Sequence, residues 1–318
     1  MQNPIDDFLA ERHVVILDGA LATELERRGA NLADPLWSAK ILLEQPDLIR
    51  SVHLDYFLAG ADVATTATYQ ATFEAFERRG LAREAAAQVM RDAVDLAVAA
   101  REQFWRVPAN RVNRRRPLVA ASVGPYGAML ADGSEYRGHY AVSEHALREF
   151  HRPRLQVLAR SGADLVACET IPCLREALAL VRLLEEFPSL SAWIGFSCRD
   201  GKRTCEGDLV ADCAAALHGC PQVAAIGVNC TPPEFVGDLL GDMRSHTDTP
   251  LLAYPNSGER YDAAAKSWHG HAGPVSFAEQ SQSWYAAGAR LIGGCCRTTP
   301  RDIEAIRRQD YGSSLPWK

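Results

Sequence analysis

Three of the nine cysteines stand where a metal site would put them. Cys295 and Cys296 are adjacent and follow Gly293-Gly294, and Cys230 follows an apolar run that ends in Asn229. A disulfide between the two neighbours would be strained, because consecutive Cα atoms lie ~3.8 Å apart whereas disulfides prefer ~4.4–6.8 Å. Three thiolates with an open fourth position describe a catalytic zinc site, and soft sulfur ligands disfavour magnesium or calcium. Cys230 lies far from the pair in sequence, so no local zinc motif applies. On positions alone, three thiols filling apolar space is an equal reading. Two carboxylates share this kind of placement. Glu169 directly follows an apolar run, and reads either as a functional group or as a polar strand end. Asp18, before Gly19, reads either as a functional group or as a turn or helix-cap residue.

The elements that must position these residues repeat about eight times. Apolar runs at 13–17, 61–66, 117–122, 163–168, 191–197, 223–228, 250–254 and 289–293 read as strands. Helical patterns at 46–59, 82–101, 144–159, 174–187, 209–218, 233–245, 277–287 and 300–307 alternate with them, and a long loop precedes the seventh helix. The strands are continuous runs, which fits parallel strands buried on both faces. Eight such units in 318 residues point to an α/β fold, the (β/α)8 TIM barrel, for which ~250 residues is typical. An open doubly wound sheet is the alternative. No linker or change of composition divides the chain, so residues 1–318 are expected to form a single domain. A barrel carries its chemistry where strands end and βα loops begin. Asp18, Glu169, Asn229-Cys230 and Cys295-Cys296 all fall at such places. The sixth and eighth strands have one neighbour between them, so the three thiols can meet across the barrel mouth.

Composition bounds the function. The chain is 47% hydrophobic and 23% charged, which excludes a disordered chain, a collagen-like repeat and a coiled coil. A net charge of −6 offers nucleic acid no attraction. The basic run at 111–116 is expected to be a solvated loop. No apolar run approaches the ~20 residues that span a bilayer. An odd number of cysteines, after a polar and acidic first 13 residues without a leader pattern, fits reduced thiols and a cytoplasmic protein. Cys168 and Cys173 read as packing residues.

Taken together, several stretches resemble the homocysteine S-methyltransferase family. They include Leu17-Asp-Gly-Ala-Leu-Ala-Thr-Glu24, Asn31-Leu-Ala-Asp-Pro-Leu-Trp-Ser-Ala-Lys40 and Thr68-Tyr-Gln-Ala-Thr72. Ser122-Val-Gly-Pro-Tyr-Gly-Ala128, Leu130-Ala-Asp-Gly-Ser-Glu-Tyr-Arg-Gly138, Ala167-Cys-Glu-Thr170 and Gly227-Val-Asn-Cys230 continue the match. Tyr254-Pro-Asn-Ser-Gly-Glu259 and Gly293-Gly-Cys-Cys-Arg-Thr-Thr-Pro300 complete it, and the last is highly specific. The resemblance runs from about residue 14 to 306 and is closest to the bacterial and plant branch that takes methyl from S-methylmethionine. It implies a TIM barrel with one Zn2+ per chain on Cys230, Cys295 and Cys296. It implies that Glu169 and Asp18 hold the ammonium of homocysteine, with the backbone of Gly19 and Ala20 nearby, and that Tyr69 and Asn229 line the pocket. Cys198 and Cys205 match no role in the family.

The implied chemistry has clear needs. A thiol with a pKa of ~8.5 is only about 3% ionised at pH 7, and coordination to zinc deprotonates it. A sulfonium donor, S-methylmethionine or S-adenosylmethionine, leaves as a neutral thioether, so no general acid is required. That agrees with the lack of histidine at the strand ends. Aromatic faces near the cationic methyl are expected, with Trp37, Tyr69, Tyr126, Tyr136, Tyr254 and Trp268 as candidates. Betaine-linked relatives carry a long C-terminal arm, and only about ten residues follow the last helix here, which favours the sulfonium donor and a monomer. The same barrel with betaine or a related donor is one alternative. A non-catalytic zinc or thiol sensor is another, but it would need a fourth ligand that no strand end supplies.

Overall fold

The computed structural model describes residues 3–32, 38–262, 267–269 and 275–312. Eight parallel strands make one sheet: β1 (Val15–Ile16), β2 (Val63–Thr65), β3 (Leu118–Val123), β4 (Leu165–Ile171), β5 (Ala192–Phe196), β6 (Val223–Asn229), β7 (Leu251–Tyr254) and, after a hairpin, β10 (Ala289–Ile292). Their order is β1-β10-β7-β6-β5-β4-β3-β2. The seam closes by a parallel bridge between Leu17 and Val63, flanked by Asp62 N–H to Ile16 O at 2.6 Å and Asp18 N–H to Val63 O at 3.1 Å. The sheet is therefore a barrel, and the open-sheet alternative falls. The eight expected helices surround it: Pro46–Ala59, Arg83–Trp105, Glu144–Leu158, Leu174–Leu184, Val210–Leu217, Pro233–Arg244, Phe277–Ala287 and Pro300–Arg307. Arg83–Trp105 runs past its expected end because Phe104 is buried against Phe57, ring centroids 5.9 Å apart.

The apolar runs divide cleanly between two layers. Val15, Leu17, Val63, Ala120, Leu165, Ala167, Trp193, Ala225, Leu252 and Leu291 point into the barrel. Their neighbours Ile16, Val119, Ala121, Val166, Ile194, Ile226 and Ile292 join the helices in the outer core. Successive side chains alternate faces, and both faces are apolar, so each strand reads as an unbroken run. Inside, the indole of Trp193 is complemented by the small side chains of Ala120, Ala167 and Ala225.

Several elements escaped the sequence pattern. Helix Pro4–Glu11 places Ile5 and Phe8 in the barrel-interior cluster, and Asn3 Nδ2 donates to Ala224 O at 3.4 Å, at the start of β6. It plugs the end of the barrel where strands begin. Short helices Leu21–Arg27, Ser38–Glu44, Phe73–Glu77 and Tyr126–Leu130 lie in the βα loops. The segment read as one long loop after β7 contains an antiparallel hairpin of β8 (Arg260–Asp262) and β9 (Ser267–His269). The basic run is not simply solvated. Arg114 donates to the carbonyls of Phe57 and Ala61 and lies 3.5 Å from buried Asp62, Arg115 pairs with Asp7 and Glu11, and Arg116 with Glu102. It therefore clamps the closed end of the barrel.

Candidate metal centre and substrate pocket

Cys230 leaves β6 in the left-handed region, at φ 47°, with its N–H on Tyr254 O at 3.2 Å. Cys295 and Cys296 leave β10 through the double glycine. A Cβ on Gly293 would stand 2.6 Å from Leu17 Cβ and 2.8 Å from Asp18 O, so the chain leaving β10 passes the end of β1 closely only because Gly293 lacks a side chain. Cys295 N–H then donates to Pro255 O at 2.8 Å, and Ser257 N–H to Cys296 O at 3.1 Å. Arg297, at φ 69°, ties the turn to Glu259 by an Nε–Oε2 contact of 2.5 Å.

These strand ends bring the three expected sulfurs together. Cys230 Sγ lies 3.5 Å from Cys296 Sγ, Cys295 Sγ lies 4.0 Å from Cys296 Sγ, and all three fall within 4.8 Å. A disulfide needs ~2.05 Å. Tetrahedral zinc with bonds of ~2.3 Å sets its sulfurs ~3.8 Å apart, so the donor set fits that ion. Hydrogen bonds among the sulfurs act in both directions, and burial with the charge of a neighbouring sulfur leaves all three thiols pushed up. Such a cluster is stable as thiols or around a soft cation.

The two carboxylates lie beside it. Glu169 is inside β4 rather than after it, in a stretch where pairing to β5 shifts register between Cys168 and Ile171. Thr170 takes φ 61°, rare for a β-branched residue, and the bulge re-aims Glu169. Asn229 holds that conformation: Thr170 N–H donates to its Oδ1 at 2.7 Å, and its Nδ2 donates to Thr170 Oγ1 at 2.9 Å. The Glu169 carboxylate accepts from Ser122 Oγ and from the Tyr254 hydroxyl, which itself accepts from Trp193 Nε1 at 3.0 Å. Burial nevertheless pushes Glu169 up to about 7. Asp18 is buried, accepting from Thr65 N–H at 2.7 Å and Thr65 Oγ1 at 2.9 Å. Burial, reinforced by the charge of Glu169, pushes it to about 8. The charge of Glu169 also reaches Cys295, so carboxylates and sulfurs share one compartment.

Gly19 and Ala20 form the turn after Asp18. Ala20 N–H donates to Thr298 Oγ1 at 3.3 Å and Ala20 O accepts from the Tyr56 hydroxyl at 3.1 Å, which fixes that turn. Tyr69 is half-buried, bonded to Thr170, and feels the charges of Glu135, Cys230 and Glu169. Of the other aromatic candidates, Tyr136 meets Cys230 Sγ at 3.1 Å, and Tyr254 bonds to Glu169. Tyr126 packs on Tyr140 and Phe150, with centroids 5.4 and 5.0 Å away. Trp37 and the side chain of Trp268 lie outside the described residues. Cys168, Cys173, Cys198 and Cys205 are buried.

The family model for homocysteine S-methyltransferase matches residues 15–309. The chain belongs to the homocysteine S-methyltransferase family. A relative from Bacillus subtilis (strain 168), homocysteine S-methyltransferase YbgG, is 54% identical over 304 residues, covering 96% of each chain. The metallated form of the homocysteine methyltransferase MmuM from Escherichia coli superposes with a TM-score of 0.86 at 47% identity, covering 96% of this chain and 99% of that one. A selenocysteine Se-methyltransferase from Brassica oleracea var. italica is 47% identical over 92% of this chain and 88% of its own. The protein is thus an enzyme of the homocysteine S-methyltransferase class.

Within that class, the residues sequence reasoning left unassigned are those that hold the carboxylates. Ser122 and Thr65 are short hydroxyls at strand ends, and their partners are residues 47 positions away in each case. Only the register of the barrel pairs them. Ser122 lay within a matched motif, which was the one available signal.

Proposed function

We propose that this protein transfers a methyl group from S-methylmethionine, or S-adenosylmethionine, to the sulfur of L-homocysteine, giving methionine. Cys230, Cys295 and Cys296 hold one Zn2+ per chain in this reading. Residues 1–318 act as one homocysteine-binding barrel, a monomer in the cytoplasm. The observation that carries the proposal is the placement of three clustered sulfurs beside two buried carboxylates at one barrel mouth. No helix among the described residues is long and apolar enough to cross a membrane.

When bound, zinc supplies the acidity that keeps the acceptor sulfur a thiolate at neutral pH. The chain does the rest. Asp18 and Glu169 take the acceptor's ammonium as a charge-assisted pair, and their own ionisation is restored by that cation. Thr65, Ser122 and Tyr254 fix the carboxylates, so little ordering remains to be done on binding. Tyr69 and Asn229 shape the wall through Thr170. The acceptor's sulfur attacks the methyl carbon in line, a sulfur–carbon bond forms, and the carbon–sulfonium bond breaks with its electron pair going to the departing thioether. Negative thiolate and positive sulfonium become two neutral thioethers. Charge is lost at the transition state, so exclusion of water favours the step, and no proton need be delivered to the leaving group.

The 47% identity to the selenocysteine enzyme supports a selenol as a second acceptor. Purified, reduced protein supplied with homocysteine and each donor separately tests the donor assignment. Methionine forms fastest with S-methylmethionine on this reading, and turnover with betaine alone would overturn it.

A further inference from the structure

A third carboxylate takes no part in the transfer step. Glu135 lies in the short 3-10 turn Ser134–Tyr136, one residue before the tyrosine that meets Cys230 Sγ. The turn is pinned by Ser197 Oγ donating to Glu135 O at 3.1 Å and by Tyr136 N–H donating to Gly133 O at 3.1 Å. Glu135 Oε2 is buried without a hydrogen-bond partner among the described residues. The charge of Glu135 is felt at the hydroxyls of Tyr69, Tyr136 and Tyr140 and at Cys205, and of these Tyr69 and Tyr136 also feel Cys230. The cation nearest in effect is Arg137, a side chain more than half exposed that lies 3.6 Å from Asp132. Burial pushes Glu135 up to about 7.

A buried carboxylate oxygen without a partner is costly, and a bound cation would remove that cost. Asp18 and Glu169 are engaged by the acceptor's ammonium. The methyl donor brings a positive charge of its own, and its sulfonium must reach the sulfur cluster. We infer that Glu135 is the anion that holds the positively charged methyl donor, with Tyr69 and Tyr136 as the aromatic walls beside it. This inference rests on the sulfonium-donor reading of the active site. It also gives Tyr136 two contacts, one to a metal-ligand sulfur and one to the donor.

Steady-state kinetics of the metal-loaded enzyme, varying S-methylmethionine and homocysteine independently, tests it. Glu135→Gln should raise the KM for S-methylmethionine at least about tenfold, the scale of one lost charge-assisted hydrogen bond. The KM for homocysteine and the metal content should stay within about twofold, and Glu135→Asp should be intermediate. A wild-type enzyme that does not use S-methylmethionine would remove the donor reading itself. A wild-type enzyme that does, with an unchanged donor KM in Glu135→Gln or a raised homocysteine KM instead, would overturn the role of Glu135. Should Glu135→Gln fail to fold by circular dichroism, Glu135→Asp decides by the same two Michaelis constants.

Discussion

Asp18 and Glu169 are pushed up by burial, to about 8 and about 7, and hydrogen bonds alone offset it. Both values exceed those of an unfolded chain, ~3.9 and ~4.3. In the ligand-free protein the neutral acids are therefore favoured by folding. Their contribution to stability is fully present below about pH 4 and is lost as pH rises through about 7 to 8. An ammonium ligand needs the ionised forms, so its affinity has the opposite slope and increases through that same window. The thermal shift given by L-methionine, which has the amino-acid end but no titrating thiol, should be larger at pH 8 than at pH 6. A shift independent of pH would remove the carboxylates from the ammonium site. Asp18→Asn and Glu169→Gln should each raise the homocysteine KM about tenfold to a hundredfold and flatten that dependence. Cys296→Ala should abolish metal retention and turnover while circular dichroism still shows the barrel, because the Cys296 side chain sits at the rim and not in the core. Collapse of the fold along with the metal would instead mark a structural zinc site.

Among the elements, one residue near the end of β4 and two beyond β6 and β10 share one device. Thr170, Cys230 and Arg297 take φ of 61°, 47° and 69°, a conformation that costs non-glycine residues about 1–2 kcal/mol each. Side-chain clamps, the Asn229 amide on Thr170 and Glu259 on Arg297, hold two of them. Asn229→Ala leaves the Thr170 N–H without its acceptor and should destabilise the protein by about 1–3 kcal/mol, read by denaturant unfolding. Its kcat should fall together with that stability. Gly195→Ala should mimic it, since a Cβ there would stand 2.6 Å from Asn229 Oδ1. Wild-type activity in both variants would contradict a positioning role for the amide. The strand ends themselves were legible in the sequence, because strands buried on both faces are apolar runs that stop where polar residues begin. The clamps were not, since Asn229 and Thr170 are 59 positions apart and only the pairing of β4, β5 and β6 brings them together. Helices as short as Leu21–Arg27 and Phe73–Glu77 offer too little periodicity to read.

At the scale of the molecule, the barrel is closed at one end and open to chemistry at the other. Phe8 and Ile5 fill the closed end, and the arginines at 114–116 tie it down. Phe8→Ala should cost about 3–5 kcal/mol in denaturant unfolding, as for other buried phenylalanines, while kcat of the folded enzyme stays near wild type. A large loss of kcat at full folding would mean the plug communicates with the mouth. The eight-unit architecture was readable from alternation alone, and the convergence of Cys230 with Cys295 and Cys296 followed from one intervening strand. The plug helix was missed because its apolar residues are few, and they are buried only once a barrel exists to receive them. In the proposed reaction the three sulfurs hold a catalytic zinc for homocysteine methylation. The decisive experiment measures zinc content and homocysteine-dependent methionine formation in one reduced sample with S-methylmethionine as donor. About one zinc per chain is expected, with turnover that disappears on chelation and returns with zinc; undiminished methionine formation by folded, zinc-free protein would rule out a catalytic zinc.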